Sequence, residues 1–597
     1  MAFLAPQAIL GGDDGVGTMK GEIIIQRRPA VVIPSGYPAD LHPVLARVYA
    51  ARNVASAAEL QHGLALLPSH SRLKGINAAI DLLVHALDRQ ERILVVGDFD
   101  ADGATSTALA VRALRAMGAT HVDFLVPNRF EYGYGLTPEI VAVAAQRQPD
   151  LIVTVDNGIS SILGVEAAHA LGIKVLVTDH HLPAAQLPRA EAIVNPNQPG
   201  DEYPGKNLAG VGVIFYVMLA LRAALRERNW FNSERAEPNL AQLLDLVALG
   251  TVADVVTLDH TNRILVAQGL ARIRGGQACA GIRALLEIAG RQSSRIVAAD
   301  LGFAVGPRLN AAGRMADMTL GIRCLLSDDE GEVRELAQQL DKYNRERRAT
   351  EDDMHNDALV ALQGFFDSSE SQALPFGLCL YKPEWHQGVI GILASRIKER
   401  LHRPVIIFTD SGDDEIKGSA RSVSGVHIRD ALDAIAAHQP GLLSKFGGHA
   451  MAAGLTIRRS DLEQFNDAFD EEVRRHLSTE DLHGVVLSDG ELAVEEIDLA
   501  LAEMLRQAVP WGQGFPEPLF DGEFEVEQQR VVGERHLKLK LRWPGTRRLI
   551  DAIAFHANLD NWPEKVRHVQ AAYRLDVNEY RGERTLQLIV EHLTPLS

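Results

Sequence analysis

From about residue 90 the chain alternates short aliphatic runs with helical patterns, and this alternation limits the possible folds more than any other feature. Strands are expected at Ile93–Val96, Val122–Val126, Leu151–Val155, Lys174–Val177 and Ala192–Val194. Helices are expected between them, at Thr105–Met117, Pro138–Gln146 and Ser160–Leu171. Strands joined through helices pair in parallel by right-handed crossovers, so the expected class is α/β with a mostly parallel, doubly wound sheet. A largely helical stretch, 209 to 289, should come next. It includes the longest apolar run, Leu208 to Leu221. That run is shorter than the ~20 residues needed to cross a bilayer, so a buried helix is expected and no membrane association.

At 597 residues the chain exceeds what one core supports, so several domains are expected. Ser327-Asp328-Asp329-Glu330 has the form of a capping box, and Val333, Leu336, Leu340 and Tyr343 recur at helical spacing behind it. A charged spacer helix is expected there. A smaller α/β segment runs from Leu378 to about His476. Five short strands come after it at Gly522–Val526, Leu537–Trp543, Leu549–Phe555, Val569–Leu575 and Leu586–Val590, suiting an OB-like β-barrel. The expected division is a disordered extension at 1–20, an N-terminal segment and catalytic domain at 21–325, and a connecting helix at 326–368. A second α/β domain at 369–484 and the barrel at 485–597 complete it. The segment Gly11-Gly12-Asp13-Asp14-Gly15 reads as disordered and Met19 is a candidate translational start, while Met1 to Met19 lack the pattern of a signal peptide. Cys279, Cys324 and Cys379 have no metal-type spacing and read as small buried hydrophobes of a cytoplasmic protein.

The chemistry lies where the strands end. The first runs into Gly97-Asp98-Phe99-Asp100-Ala101-Asp102-Gly103, three carboxylates at alternate positions. Alone, this motif is also compatible with an Asx-rich turn and a helix cap. The third strand, however, runs into Asp156-Asn157-Gly158, and the fourth into Thr178-Asp179-His180-His181. Ligands of an open parallel sheet gather outside the carboxyl ends of its strands, so these acids and histidines should share one crevice. Leu249-Gly250-Thr251-Val252-Ala253-Asp254 adds another acid. Carboxylates with a minority of imidazoles suit Mn²⁺ or Mg²⁺, and so many acids exceed the needs of one ion. Two divalent metal ions and phosphoester hydrolysis are therefore expected. A net charge of −18 does not exclude nucleic acid, because a carboxylate-rich site is acidic by necessity.

These stretches resemble the motifs of the DHH phosphoesterase superfamily: Asp-x-Asp-x-Asp-Gly, Val-Asp-Asn-Gly, Asp-His-His and Gly-Thr-Val-Ala-Asp. Gly447-Gly448-His449-Ala450-Met451-Ala452-Ala453-Gly454 is similar to the glycine-rich signature of the DHHA1 domain. Gly306-Pro307-Arg308-Leu309-Asn310-Ala311-Ala312-Gly313-Arg314 and Trp385-His386-Gln387-Gly388-Val389-Ile390-Gly391 resemble the RecJ family within it. By this resemblance Asp98, Asp100, Asp102, Asp156, His180 and Asp254 would hold metal, with Asp156 the bridge. His181 would act on the reacting phosphate or leaving group. The chain departs from many smaller DHH phosphodiesterases at Leu94, near where they carry a histidine.

The resemblance further implies a 5′-to-3′ exonuclease that degrades single-stranded DNA to mononucleotides, in recombination and repair. A single-strand-binding protein and a helicase are the expected partners. Candidates for gripping a 5′-phosphate are Arg129, Arg308, Arg314, Ser419 and Arg421, with the backbone of Gly447, Gly448 and His449. In the barrel, Trp543, Phe555, Tyr573 and Tyr580 are interleaved with Arg535, Lys538, Lys540, Arg542, Arg547, Arg548 and Arg574, a composition suited to single strands. Phe555 continues an apolar strand and is expected to be core. The alternatives are a DHH phosphodiesterase for short oligonucleotides, cyclic dinucleotides or pyrophosphate, and a metal-free DNA-binding scaffold. The barrel and spacer helix argue against the first, and the complete set of acids against the second.

Overall fold

The computed structural model describes residues 9–10, 23–128, 135–368, 374–412, 414–533, 536–555, 557, 562–563, 565–580 and 582–596. Arg129 and Arg535 lie outside these residues. Two compact units form. The first is built from 30–344 with 503–517, the second from the described parts of 6–29, 345–502 and 518–597.

The first unit is organised on a five-stranded sheet in the order Val122–Leu125, Ile93–Gly97, Leu151–Val155, Lys174–Thr178, Ala192–Val194. All four pairings are parallel. The strands Ile93–Gly97 and Leu151–Val155 are buried at every position, as expected of a sheet covered on both faces. After Ile93–Gly97 the chain adds a strand on one side and then continues on the other. That reversal makes the gap between Ile93–Gly97 and Leu151–Val155 the topological switch point.

Helix Ala101–Ala116 begins four residues before its expected start at Thr105. Asp100 is its N-cap, its Oδ1 accepting from Asp102 N at 2.9 Å and Gly103 N at 3.0 Å. The acids that read as a loop are thus also the helix start, where carboxylates meet unpaired amides. The apolar run at 208–221 lies in helix Gly210–Glu227, which packs on Ala101–Ala116. Among the described residues no helix is long and apolar enough to cross a membrane.

The charged helix spans Glu330–Ser368. Its cap is Asp329 rather than Ser327: Asp329 Oδ1 accepts from Glu332 N at 2.8 Å, while Ser327 Oγ bonds the Glu332 carboxylate at 2.7 Å. Within the second unit Glu351 of this helix is buried between Arg347 and Arg396. Met354, Ala358 and Leu362 pack against Leu393 and Ile397.

The smaller sheet orders its strands Lys445–Gly448, Ala452–Arg458, Glu415–Arg421, Val405–Asp410, Leu378–Tyr381. Only the last pair is parallel. The barrel strands are Phe520–Val532, His536–Arg542, Leu549–Ala554, His568–Tyr580 and Glu583–Leu596, and pairing of the last two closes it. Three expectations change here. Within the extension 1–20, expected to be disordered, Ile9–Leu10 pairs in parallel with His592 and Leu593. Ile23–Arg27, expected with the catalytic domain, pairs with Gly484–Ser488, and Arg27 meets Asp521 at 2.7 Å. Phe555 is 39% exposed, whereas Tyr573 is fully buried against Phe520 and Phe524. Strand Leu549–Ala554 turns Ala552 and Ala554 inward, so the same alternation points Phe555 outward although it continues the apolar run.

Candidate metal centre

The site forms at the switch point of the parallel sheet. Asp98 follows strand Ile93–Gly97, Asp156 follows Leu151–Val155, and Asp179, His180 and His181 follow Lys174–Thr178. Asp254 ends helix Leu244–Ala253. Three overlapping groups each have their ligand atoms within 4.8 Å of one another: Asp98, Asp100 and Asp156; Asp102, His180 and Asp254; Asp156, His180 and His181. The carboxylate and imidazole residues picked out as ligands in the sequence are therefore brought together. Asp156 and His180 each belong to two groups, and His180 Nε2 lies 3.1 Å from Asp156 Oδ1 and 3.4 Å from Asp254 Oδ2.

Each acid is held by backbone that other elements supply. Asp102 Oδ2 accepts from Gly210 N at 2.6 Å and its Oδ1 from Val211 N at 3.0 Å. Helix Gly210–Glu227 has no side-chain cap of its own, so Asp102 caps it from a distance and gains the positive end of its dipole. Gly210 is required at this contact. A Cβ there would lie 2.6 Å from Asp156 Cβ and 2.7 Å from its Oδ1. Asp156 has a left-handed backbone, φ 61°, which costs a non-glycine residue about 1–3 kcal/mol and aims its carboxylate into the cluster. Asn157 Nδ2 donates to Val96 O and Val155 O, tying the two central strands at their carboxyl ends.

Asp179, to which the sequence alone assigns no role, organises the histidines. Its Oδ1 accepts from His180 N at 2.7 Å and lies 2.8 Å from His181 Nδ1, while its Oδ2 accepts from Ile159 N at 2.9 Å. Asn195 Nδ2 donates to His181 O at 2.9 Å and Asn197 Nδ2 to His180 O at 2.6 Å. The signal for these residues was present as Asn195-Pro196-Asn197 after a strand, but nothing local says which loop an asparagine will reach.

The charges explain what the cluster needs. Burial, then the neighbouring Asp254 and Asp100, holds the Asp102 carboxyl well above the usual range. Burial and the surrounding acids do the same to Asp156. Burial pulls His180 down, favouring the neutral form that ligates metal. Burial acts in the same direction on His181, but the hydrogen bond to Asp179 and its charge prevail and push His181 up to about 9. Carboxylates crowded out of water are stabilised as anions only by a cation among them. Oxygen donors with imidazole nitrogen, and no thiolate, fit Mn²⁺ or Mg²⁺.

The arginines of the 306–314 motif are differently placed. Arg308 donates to Asp341 Oδ1 at 2.9 Å and to Ala304 O at 2.6 Å, so it braces its own helix against Glu330–Ser368. Arg314 is half-buried in the last turn of helix Gly306–Met315. Leu94 is buried in mid-strand. In the second unit Ser419 and Gly447 both pair with Gly454, placing them in one row across three strands. Arg421 Nη1 donates to Ser419 Oγ at 3.1 Å, and a side chain on Gly391 would meet both residues. Gly448 pairs with Ala453, and His449 N donates to Ala452 O at 2.8 Å. Three separate motifs thus converge on one patch of this sheet.

Residues 92–251 match the DHH family N-terminal domain, 375–475 the DHHA1 domain and 488–592 the RecJ OB domain. The single-stranded-DNA-specific exonuclease RecJ of Dickeya dadantii is 56% identical over 575 residues, covering 96% of this chain and 99% of the relative. This chain belongs to the RecJ family. The crystal structure of RecJ in complex with Mn²⁺ from Thermus thermophilus matches it with a TM-score of 0.77 at 30% identity, over 96% of this chain and 80% of that one. The Mg²⁺ complex from the same organism matches with a TM-score of 0.73 at 29% identity, over 96% and 79%. RecJ structures solved with either ion accord with the donor chemistry of the site.

Proposed function

We propose that this chain is a metal-dependent, single-stranded-DNA-specific exonuclease acting in DNA recombination and repair. The observation that carries the reading is the convergence of Asp98, Asp100, Asp102, Asp156, Asp254 and His180 at the switch point of the sheet. Two divalent ions, Mn²⁺ or Mg²⁺, would be held by this cluster, with Asp156 and His180, each common to two of the three groups, placed to serve both and Asp156 the residue that would bridge them. Bound there, such ions supply a hydroxide-like water at neutral pH and polarise the scissile phosphodiester.

The chain's own residues do the rest. Asp98, Asp100, Asp102 and Asp254 hold the ligand geometry, and the amides of Gly210 and Val211 keep Asp102 oriented. His181, oriented through Nδ1 by Asp179, is assigned to a phosphate oxygen or the leaving 3′-oxygen. Ser419, Arg421 and the 447–449 backbone are assigned to substrate phosphate, with Arg314 and Arg129 as further candidates. The outward row Lys538 and Lys540 of the barrel, set between inward Leu537, Leu539 and Leu541, offers a track for a single strand. The 5′-to-3′ direction and mononucleotide products rest on family resemblance, as do a cytoplasmic location and partnership with a single-strand-binding protein and a helicase.

The test uses 5′- and 3′-end-labelled single strands and blunt duplex, each with Mn²⁺, Mg²⁺ or chelator. Metal-dependent loss of the 5′-label from single strands alone is expected. Asp156→Ala should abolish hydrolysis while single-strand binding persists. Hydrolysis in chelator, or by Asp156→Ala at the parental rate, would overturn the reading.

A further inference from the structure

The motif Gly306–Arg314 holds more than its two arginines. Its helix, Gly306–Met315, comes after a π turn at Leu301–Val305, itself preceded by the helical turn Ala298–Asp300. Pro307 explains the π turn. It has no amide hydrogen to donate, and its ring would crowd the carbonyl four residues back in a regular helix. Each added residue rotates the downstream helix by about 100°, so the π turn sets which face of Gly306–Met315 meets its neighbour.

The face presented is that of Asn310 and Gly313, three positions apart. Asn310 Oδ1 accepts from Ala101 N at 2.7 Å. Ala101 opens helix Ala101–Ala116, and the accounting of its first amides is then complete. Asp102 N and Gly103 N go to Asp100 Oδ1, Ala104 N goes to Asp100 O, and Ala101 N goes to Asn310. One turn on, Gly313 lies directly against the carbonyl oxygen of Phe99, where any side chain would collide. Two independent contacts therefore grip 99–101, the backbone that runs between Asp98, Asp100 and Asp102.

We propose that Asn310 is a positioning residue of the metal centre, acting with Gly313 to hold the 99–101 backbone so that Asp98, Asp100 and Asp102 converge. The proposal rests on the metal-centre reading above. Groups that orient ligands typically govern metal affinity by 10–100-fold, although they never touch the ion.

The experiment is Mn²⁺ titration calorimetry on the full chain without DNA, for the parent, Asn310→Ala, Asn310→Asp, Gly313→Ala and Asp156→Ala. Asn310→Ala should weaken Mn²⁺ about tenfold, with parental single-strand binding in chelator and a melting temperature in chelator lowered by no more than a few degrees. Its kcat should recover at high Mn²⁺ while KM for DNA stays unchanged, a pattern that general loosening of the fold does not produce. Asn310→Asp keeps the acceptor and should restore affinity, and Gly313→Ala should reproduce the defect from the other contact. Parental Mn²⁺ affinity in Asn310→Ala, or an Asn310→Asp variant as weak as Asn310→Ala, would overturn the proposal. If instead Asp156→Ala still bound Mn²⁺ like the parent, the metal-centre reading itself would fail.

Discussion

Gly210→Ala tests how far the centre depends on close packing. The added Cβ would sit 2.6 Å from Asp156 Cβ, 2.7 Å from its Oδ1 and 2.9 Å from its Cα. Carbon atoms are at ease from about 3.5 Å, so the end of helix Gly210–Glu227 must retreat by roughly 0.9 Å. The bond from Gly210 N to Asp102 Oδ2, now 2.6 Å, would stretch to about 3.5 Å and cease to be a hydrogen bond. Alanine is a better helix former than glycine by about 1 kcal/mol, which favours the variant. Overpacking costs about 1–3 kcal/mol, and a hydrogen bond to a charged group contributes about 1.5–3 kcal/mol. The two losses overlap, because the retreat that relieves the clash is what breaks the bond. A net loss of about 1–3 kcal/mol is expected, with Mn²⁺ bound 10–100-fold more weakly. Thermal melting in chelator reads the first, and Mn²⁺ calorimetry the second. Gly212→Ala is the control, since the nearest atoms its Cβ would meet belong to the Leu208 side chain, at 3.1 Å and beyond. If Gly210→Ala melts and binds Mn²⁺ as Gly212→Ala does, the reasoning about close approach is wrong.

The charges and the barrel lead to two further outcomes. Asp102 and Asp156 have raised carboxyl pKa values in the metal-free fold, so they stabilise it below the unfolded value near ~4, and this contribution is lost as pH rises through the raised values. A bound cation removes that loss, so the melting-temperature gain from Mn²⁺ should grow as pH rises above about 4; a constant gain would show that the acids do not couple to metal. In the barrel, Tyr573→Ala should cost about 3–5 kcal/mol of stability, whereas Phe555→Ala should change it by about 0.5 kcal/mol or less. Phe555→Ala should instead weaken single-strand binding in an anisotropy titration, and equal melting losses in the two variants would contradict the difference in burial between the two side chains.

Much of the catalytic unit was legible residue by residue. Strands such as Leu151–Val155 and Ala192–Val194 were expected at their observed bounds, because a buried parallel strand is a continuous aliphatic run and needs no distant partner to be recognised. The acids were legible too, because a carboxylate directly after such a run has few places to go except the end of a sheet. Other features misled in instructive ways. Phe555 read as core because it extends an apolar run, but with Ala552 and Ala554 inward its position in the alternation is an outward one. Ile23–Arg27 read as part of the catalytic domain by proximity in sequence, although it pairs with a strand more than 400 residues on.

Taken alone, the alternation of strands and helices, with acids and histidines at the strand ends, determined a parallel α/β sheet carrying a divalent-metal hydrolytic site. That pattern is local: burial of aliphatic runs and repulsion among carboxylates act wherever the chain places them. Only the tertiary structure decided how the ligands are held. Gly210 and Val211 supply amides to Asp102, Asp179 fixes His181, Asn195 and Asn197 hold the histidine carbonyls, and Asn310 takes the first amide of helix Ala101–Ala116. These partners come from other elements, in one case more than 200 residues away. Which hydrogen-bonding group reaches which loop depends on helix phase and packing distance, and no stretch of sequence encodes those by itself.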